Sequence, residues 1–258
     1  MSLAALYPDV PWYVAVVIPL TIFGAYVVFG ATGFGSSIIS VPMLAHWFPL
    51  TFAVPLVTLI DCVSAGSASI RQRQHASYAE CRRVIPAMLI GIAAGATLLV
   101  NLPRSAALFA LGVFVSCYGV YLLIGQRQVR AMRSFWAWPI GIVGGVFSVL
   151  FGTGGPLYMI YLSARIHDKT ALRATSSLIV AVSVFIRAGV FAVTGLVLNA
   201  PLLVAFALLL PLMFAGFYLG NRAHFALSRA GVLKLIAGLL ALNGVSLIVR
   251  ASAMLRGE

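Results

Sequence analysis

Gly30-Ala31-Thr32-Gly33-Phe34-Gly35-Ser36-Ser37 interrupts an otherwise apolar run between residues 12 and 47. Phe151-Gly152-Thr153-Gly154-Gly155-Pro156 interrupts another between residues 135 and 163. Each glycine lowers helix stability by about 1 kcal/mol relative to alanine, and a proline also removes a backbone donor. Gathered this tightly, they predict a real break in each helix. The two interruptions also correspond. A shift of 119 residues places Gly33, Gly35 and Ser36 on Gly152, Gly154 and Gly155, and lays residues 58–64 on 177–183. Further along, a shift of 125 places Pro86, Met88, Gly91 and Gly95 on Pro211, Met213, Gly216 and Gly220. One ordered series of matches across a half-chain predicts an internal duplication, with a first repeat over residues 1–128 and a second over 129–258.

Composition names the solvent. Hydrophobic residues make up 62% of the chain and charged residues 9%, with a mean hydropathy of +1.07, against roughly 25% charged residues in a soluble domain. Such a surface belongs in lipid. A bilayer core about 30 Å thick needs about 20 apolar residues per crossing, and eight such stretches are present: 12–47, 51–70, 84–102, 105–125, 135–163, 174–197, 202–221 and 231–250. The first and fifth are the interrupted ones. Trp12, Trp47, Trp136 and Trp138 stand at stretch ends, as an interfacial aromatic belt would. Before the first run there is no Lys or Arg, only Asp9, which is not the pattern of a standard signal peptide.

The net charge is +12. Basic residues cluster between apolar runs without interleaved aromatics, so nucleic acid is not the expected partner; an anionic lipid surface is. If all eight stretches cross fully, the two sides hold nine and seven basic residues, which decides nothing. If each interrupted stretch dips in and returns, the loops at 71–83, 125–134, 164–173 and 222–234 share one side with thirteen basic residues. The other side then has Arg104, Arg250 and Arg256. That asymmetry fits the positive-inside rule. The expected fold is therefore an all-α polytopic membrane protein of two homologous halves in inverted orientation. Each half has a Gly-broken, re-entrant helix plus three transmembrane helices. Eight full crossings with two kinked helices is the rival reading.

Enzyme motifs are missing. There is no HExxH or GxSxG, and the glycines at 30, 33 and 35 have the wrong spacing for a dinucleotide fingerprint. With no P-loop either, an ion or substrate gradient is the expected energy source. Cys62, Cys81 and Cys117 make no CxxC spacing and read as small packing residues. His46, His75, His167 and His224 fall at stretch ends or loops and read as solvated. No metal and no cofactor is expected.

These residues resemble the sulfite exporter TauE/SafE family of membrane permeases. The likeness rests on an eight-segment chain of this length with a Gly-rich break and a Pro-containing run near the start of each half, here residues 33–42 and 152–156. The Arg173-Ala174-Thr175-Ser176-Ser177 entry to the sixth stretch adds to it. Ser36-Ser37 stands where extra glycines are frequent, and Tyr161 stands where a proline would match Pro42. The resemblance implies a multi-pass protein of the bacterial cytoplasmic membrane that moves small sulfur-containing anions such as sulfite or organosulfonates.

The residues suggest how. A broken helix starts its second half with backbone N–H groups that have no intrahelical partner, at the positive end of the helix dipole. Such a terminus binds anions. Gly33, Gly35, Gly152, Gly154 and Gly155 would let an oxyanion approach the backbone, with Ser36, Ser37 and Thr153 adding hydroxyl donors. The same glycines would also serve close helix packing. Arg187, near the middle of the 174–197 stretch, costs about 2.5–3.5 kcal/mol at a membrane centre and so needs an interior partner. An anionic substrate is one candidate and Asp61 is another. Inverted halves bring Asp61 and Arg187 to equal depth when the midplane lies near Ser64 and Ser183. Together they form either a fixed ion pair or a working one, with Arg187 attracting the anion and Asp61 controlling its availability or carrying a coupled proton or other ion. Thr175 and Ser176 either reach the second Gly loop or merely start a helix. The expected function is a secondary carrier for a small anion, sulfite or an organosulfonate, with a central site between the repeats. A carrier for another small carboxylate or metabolite, and a non-transporting membrane scaffold, are the alternatives.

Overall fold

A computed structural model of the chain describes residues 11–32, 35–124, 132–223 and 229–256. Asp9, Gly33 and His224 lie outside them, as do Arg127 and Arg130 of the basic loops and the side chains of Arg71, Arg73, Lys169, Arg229, Lys234 and Arg256.

The regular structure among the described residues is helical. In the first half α1 (Val14–Thr32) and α2 (Ser36–Leu44) flank the first break, followed by α3 (Leu50–Gln72), α4 (Tyr78–Asn101) and α5 (Arg104–Ile124). In the second half α6 (Ala137–Phe151) and α7 (Gly155–Ser163) flank the second break, followed by α8 (Lys169–Val193), α9 (Ala200–Ala223) and α10 (Arg229–Arg256). The 119-residue offset reappears in the elements themselves. α1 ends at Thr32 and α6 at Phe151, and α2 and α7 are both nine residues long and start at 36 and 155. α3 and α8 start at 50 and 169. Both breaks exist, and each contains a glycine in the left-handed region, Gly35 at φ 102° and Gly152 at φ 73°. An L side chain is strained there, so glycine supplies the turn.

Each broken stretch folds back on itself. Tyr13, just before α1, meets Trp47, just after α2, edge to face at 6.4 Å between ring centroids. At the equivalent place in the second half, Arg165 Nη1 donates to the Met132 carbonyl at 3.2 Å. In both halves the start and end of the broken stretch therefore lie together, as in a hairpin.

Among the described residues, six helices are long and apolar enough to cross a membrane: Tyr78–Asn101, Arg104–Ile124, Ser134–Phe151, Thr170–Val193, Ala200–Arg222 and Ala237–Met254. Their outer faces carry large exposed hydrophobics such as Ile124, Val193, Tyr218 and Leu242, which would be costly in water and are at home against lipid.

Two boundaries differ from the sequence expectation. α4 begins at Tyr78 rather than near 84, because Glu80 is buried against partners from other elements. α8 begins at Lys169 rather than 174, because the Asp168 carboxylate accepts from the Ala171 N–H at 2.8 Å and caps the first turn. Residues 175–177 thus lie well inside a helix and do not start one.

The halves interlock by exchanging partners. α4 packs on α6 and α9 packs on α1, while α3 pairs with α8 and α5 with α10. Glycines set the first two crossings. A Cβ on Gly91 or Gly145 would run into the backbone of the facing helix at Ile142 or Met88, and one on Gly216 or Gly220 into Phe23 or Val27. Backbones in direct contact gain dispersion attraction along their length, which is how helices associate where lipid competes for apolar side chains.

Candidate functional site

Where the two hairpin tips meet α3 and α8, they line a partly open cavity with about 40 Å³ of room for water centres. One water needs about 10–15 Å³ on that measure, so there is room for a few waters or one small oxyanion. Gly35, Ser36 and Ser37 line it from the first half together with Asp61 and Ser64 of α3. Gly152, Thr153, Gly154 and Gly155 line it from the second half with Tyr158 of α7 and Ser183 and Arg187 of α8. The tips touch: a Cβ on Gly152 would stand 3.1 Å from the Ser37 Cβ.

Asp61 and Arg187 are both buried, at 5% and 1% exposure, and Arg187 Nη2 lies 3.7 Å from Asp61 Oδ2. That is an ion pair but too long for a hydrogen bond. Each partner is held separately. Asp61 Oδ1 accepts from Tyr26 Oη at 2.6 Å and from Ser36 Oγ at 2.8 Å, and Oδ2 accepts from Ser37 Oγ at 2.5 Å. Arg187 Nη1 donates to the Ser148 carbonyl at 2.5 Å and to its hydroxyl at 3.1 Å, and the Ser148 and Ser183 hydroxyls are bonded at 2.7 Å. Four buried polar atoms around the cavity have no side-chain or backbone partner: Arg187 Nε and Nη2, Tyr158 Oη and Thr153 Oγ1. A buried group left without any partner costs about 1–3 kcal/mol, more when charged, so a molecule in the cavity that pairs with these atoms is favoured. All four can donate.

The structure thus gathers Gly35, Ser36, Ser37, Asp61, Gly152, Thr153, Gly154, Gly155 and Arg187 around one space. It does not bring Thr175 and Ser176 there. Thr175 Oγ1 accepts from the Ser77 N–H at 2.8 Å and donates to the Ala171 carbonyl, and Ser176 Oγ bonds the Arg173 carbonyl. Thr175 fastens the loop before α4 to α8, while Ser176 bonds within α8. Nor are Ser36 and Ser37 spare donors as expected, since both hydroxyl protons go to Asp61.

A second cluster lies apart from the cavity. Glu80 Oε1 pairs with Arg83 Nη1 at 2.6 Å and Arg165 Nη2 at 3.1 Å, and its Oε2 accepts from Tyr161 Oη at 2.7 Å. It ties the start of α4 to the end of the second hairpin. The first hairpin ends differently. His46 bonds the Pro42 carbonyl through Nδ1 and Ser246 through Nε2, and Arg250 donates to the His46 carbonyl. His46 is therefore a bonded residue rather than a solvated one, whereas His75 and His167 are exposed.

A protein-family model described as "Sulfite exporter TauE/SafE" matches residues 18–247, from within α1 to within α10. The chain belongs to the sulfite exporter TauE/SafE family. It is a multi-pass membrane protein of a transporter family, which is not a class of enzymes. Among curated proteins, a relative of this TauE/SafE chain is the "Probable inner membrane transporter protein TsaS" of Comamonas testosteroni. The two are 28% identical over 197 residues, covering 74% of this chain and 81% of that one. No solved structure matches.

Several contributors escaped the sequence reading. Tyr26, Ser148 and Tyr158 sit in apolar runs, where tyrosine and serine look like packing. Tyr158 left a faint trace: a Cβ on Gly154 would stand 2.9 Å from its hydroxyl, and its ring fills the space beside Gly144. Those two glycines make room for it.

Proposed function

We propose that this chain is a secondary carrier for a small anion, sulfite or an organosulfonate, bound at a central site between two inverted repeats, residues 1–128 and 129–258. The observation that carries this reading is the set of unpaired buried donors, Arg187 Nε and Nη2, Tyr158 Oη and Thr153 Oγ1, turned to one small cavity. An anion with several oxygens satisfies them together. Gly35, Gly152, Gly154 and Gly155 keep the tip backbone open, so the first turns of α2 and α7 offer N–H groups at positive helix ends. Asp61 serves as the fixed counter-charge that keeps Arg187 in place without consuming its donors, and it is the group on which proton or other ion coupling would act.

Inverted orientation is supported by the hairpin closures. Arg250 lies at the mouth of the first hairpin and Arg83 and Arg165 at the mouth of the second. This is the separation that sets thirteen basic residues on one side against three on the other. A half of one hairpin and three crossings contains an odd number of spans, so its copy enters from the opposite face. Given the TsaS relative, the bacterial inner membrane is the proposed location, with the basic-rich face cytoplasmic.

Uptake of labelled sulfite, sulfate and methanesulfonate into proteoliposomes tests the function. Flux of a sulfur oxyanion that disappears in Arg187→Ala, with the variant still folded, is the expected result. Equal flux in empty liposomes would end the carrier reading.

A further inference from the structure

The walls of the cavity are chemically unlike. On the second-half wall, Arg187, Tyr158 and Thr153 present unused N–H and O–H groups. On the first-half wall, the Ser36, Ser37 and Tyr26 hydroxyls have spent their protons on Asp61. A hydroxyl has one proton and two lone pairs, so Ser36 and Ser37 face the cavity as acceptors. A bare oxyanion with oxygens on all sides would meet side-chain donors on one wall and, beside the N–H groups at the start of α2, the lone pairs of Ser36 and Ser37 on the other. An oxyanion that keeps one hydrogen would be matched on both.

Charge points the same way. Among the described lining residues Asp61 and Arg187 are the charged pair, and they cancel. A monoanion leaves the site with one net negative charge and a dianion leaves two. The self-energy of an ion away from water grows as the square of its charge, so the second charge raises that cost about fourfold.

We propose that this site prefers, among small oxyanions, a singly charged one that retains one hydrogen, such as hydrogensulfite, with Ser36 and Ser37 as the residues that set the preference. Asp61 sets this preference indirectly, by holding both hydroxyl protons away from the substrate. The proposal rests on the anion-carrier reading above and deepens it.

The test is equilibrium binding to the purified full chain across a pH series, with sulfite and methanesulfonate as the two probes. Methanesulfonate is a monoanion throughout and has no acidic hydrogen, so it reports any titration of the protein. The groups that could contribute such a titration are Tyr26 on α1, Asp61 and Cys62 on α3, Tyr158 on α7 and Arg187 on α8. Above the pKa of hydrogensulfite, the apparent affinity for total sulfite is expected to fall roughly tenfold per pH unit, in step with the bound form's share, while methanesulfonate stays level. Sulfite affinity that is flat or rises with pH overturns the proposal and leaves the anion site standing. Parallel loss of both probes also overturns it, because the protein then sets the dependence. Binding of neither probe sinks the carrier reading as well. In Ser36→Ala/Ser37→Ala, the ratio of sulfite to methanesulfonate affinity at the acid end is expected to drop about tenfold, the worth of one neutral hydrogen bond. Methanesulfonate binding shows whether that variant still forms its site. An unchanged ratio removes the two serines from the selection.

Discussion

Arg187 and Asp61, on α8 and α3, face each other across 3.7 Å without a hydrogen bond between them. The carboxylate is occupied by three hydroxyls and the guanidinium by Ser148, so the charges are balanced while two guanidinium nitrogens stay open. A fixed structural ion pair would gain by closing that gap. An open pair fits a site that waits for a third charged partner.

Removing either partner leaves a buried charge uncompensated, which costs about 3–5 kcal/mol. Arg187→Ala and Asp61→Asn are each expected to lower the melting temperature of the purified protein. In Asp61→Asn/Arg187→Gln no net charge remains to be stranded, so part of the stability should return. Anion flux should not. Melting curves and liposome flux on the three variants check this. Flux recovered along with stability would make the pair purely structural.

Tyr26→Phe removes one hydrogen bond to a charged acceptor, worth about 1.5–3 kcal/mol. The tyrosine is fully buried and stands behind Asp61 rather than on the donor wall. Stability should therefore fall while anion affinity changes little. Tyr158→Phe should do the reverse, because its hydroxyl has no side-chain or backbone partner to lose. A thermal melt with and without sulfite separates the two variants.

The glycines divide by what surrounds them. Gly91→Ala and Gly220→Ala force a methyl into the facing backbone and are expected to cost about 1–3 kcal/mol, by prying α4 from α6 or α9 from α1. Gly24 and Gly189 have nothing within 4 Å of an added Cβ, so alanine there should be neutral or stabilising by up to about 1 kcal/mol. At the tips, Gly152→Ala meets both a positive φ and the Ser37 side chain, whereas Gly35→Ala meets only the φ. Gly152→Ala should therefore be the more damaging to transport. Unfolding midpoints and flux across the series would show the ranking.

Glu80 holds the second hairpin. In Glu80→Gln the two arginines lose their counter-charge, and in Glu80→Ala the buried Tyr161 hydroxyl loses its acceptor as well. The alanine variant is expected to lose about 1–3 kcal/mol and to speed proteolysis at the mouth of that hairpin. Limited digestion of the reconstituted protein reads this out. Resistance equal to wild type would mean the cluster bears no load.

Much of this is legible in the sequence. Clustered glycines break helices for backbone reasons that need no tertiary context, so both breaks could be placed to within a few residues. Asp61 could be named as one candidate partner of Arg187, beside an anionic substrate, because a membrane interior offers charged groups few places to go. What could not be read was the direction of hydroxyls. Whether Ser36 gives its proton to a substrate or to Asp61 depends on which neighbour is nearer once the chain is folded. Glu80 was missed for a related reason. Polar residues between apolar runs look like a loop until a second element supplies Arg165 and Tyr161 and draws them into a helix. Thr175 and Ser176 looked like a helix start because Asp168, the true cap, lies outside the apolar run.

Selenium can take the place of sulfur in the same oxyanion and scatters anomalously. A crystal of the full chain grown with selenite should show one selenium peak per chain in the cavity, with its oxygens in hydrogen-bond reach of Arg187 Nη2, Tyr158 Oη and Thr153 Oγ1. A peak confined to the basic loops, or a cavity that stays free of selenium when the protein carries selenite in liposomes, would contradict the account.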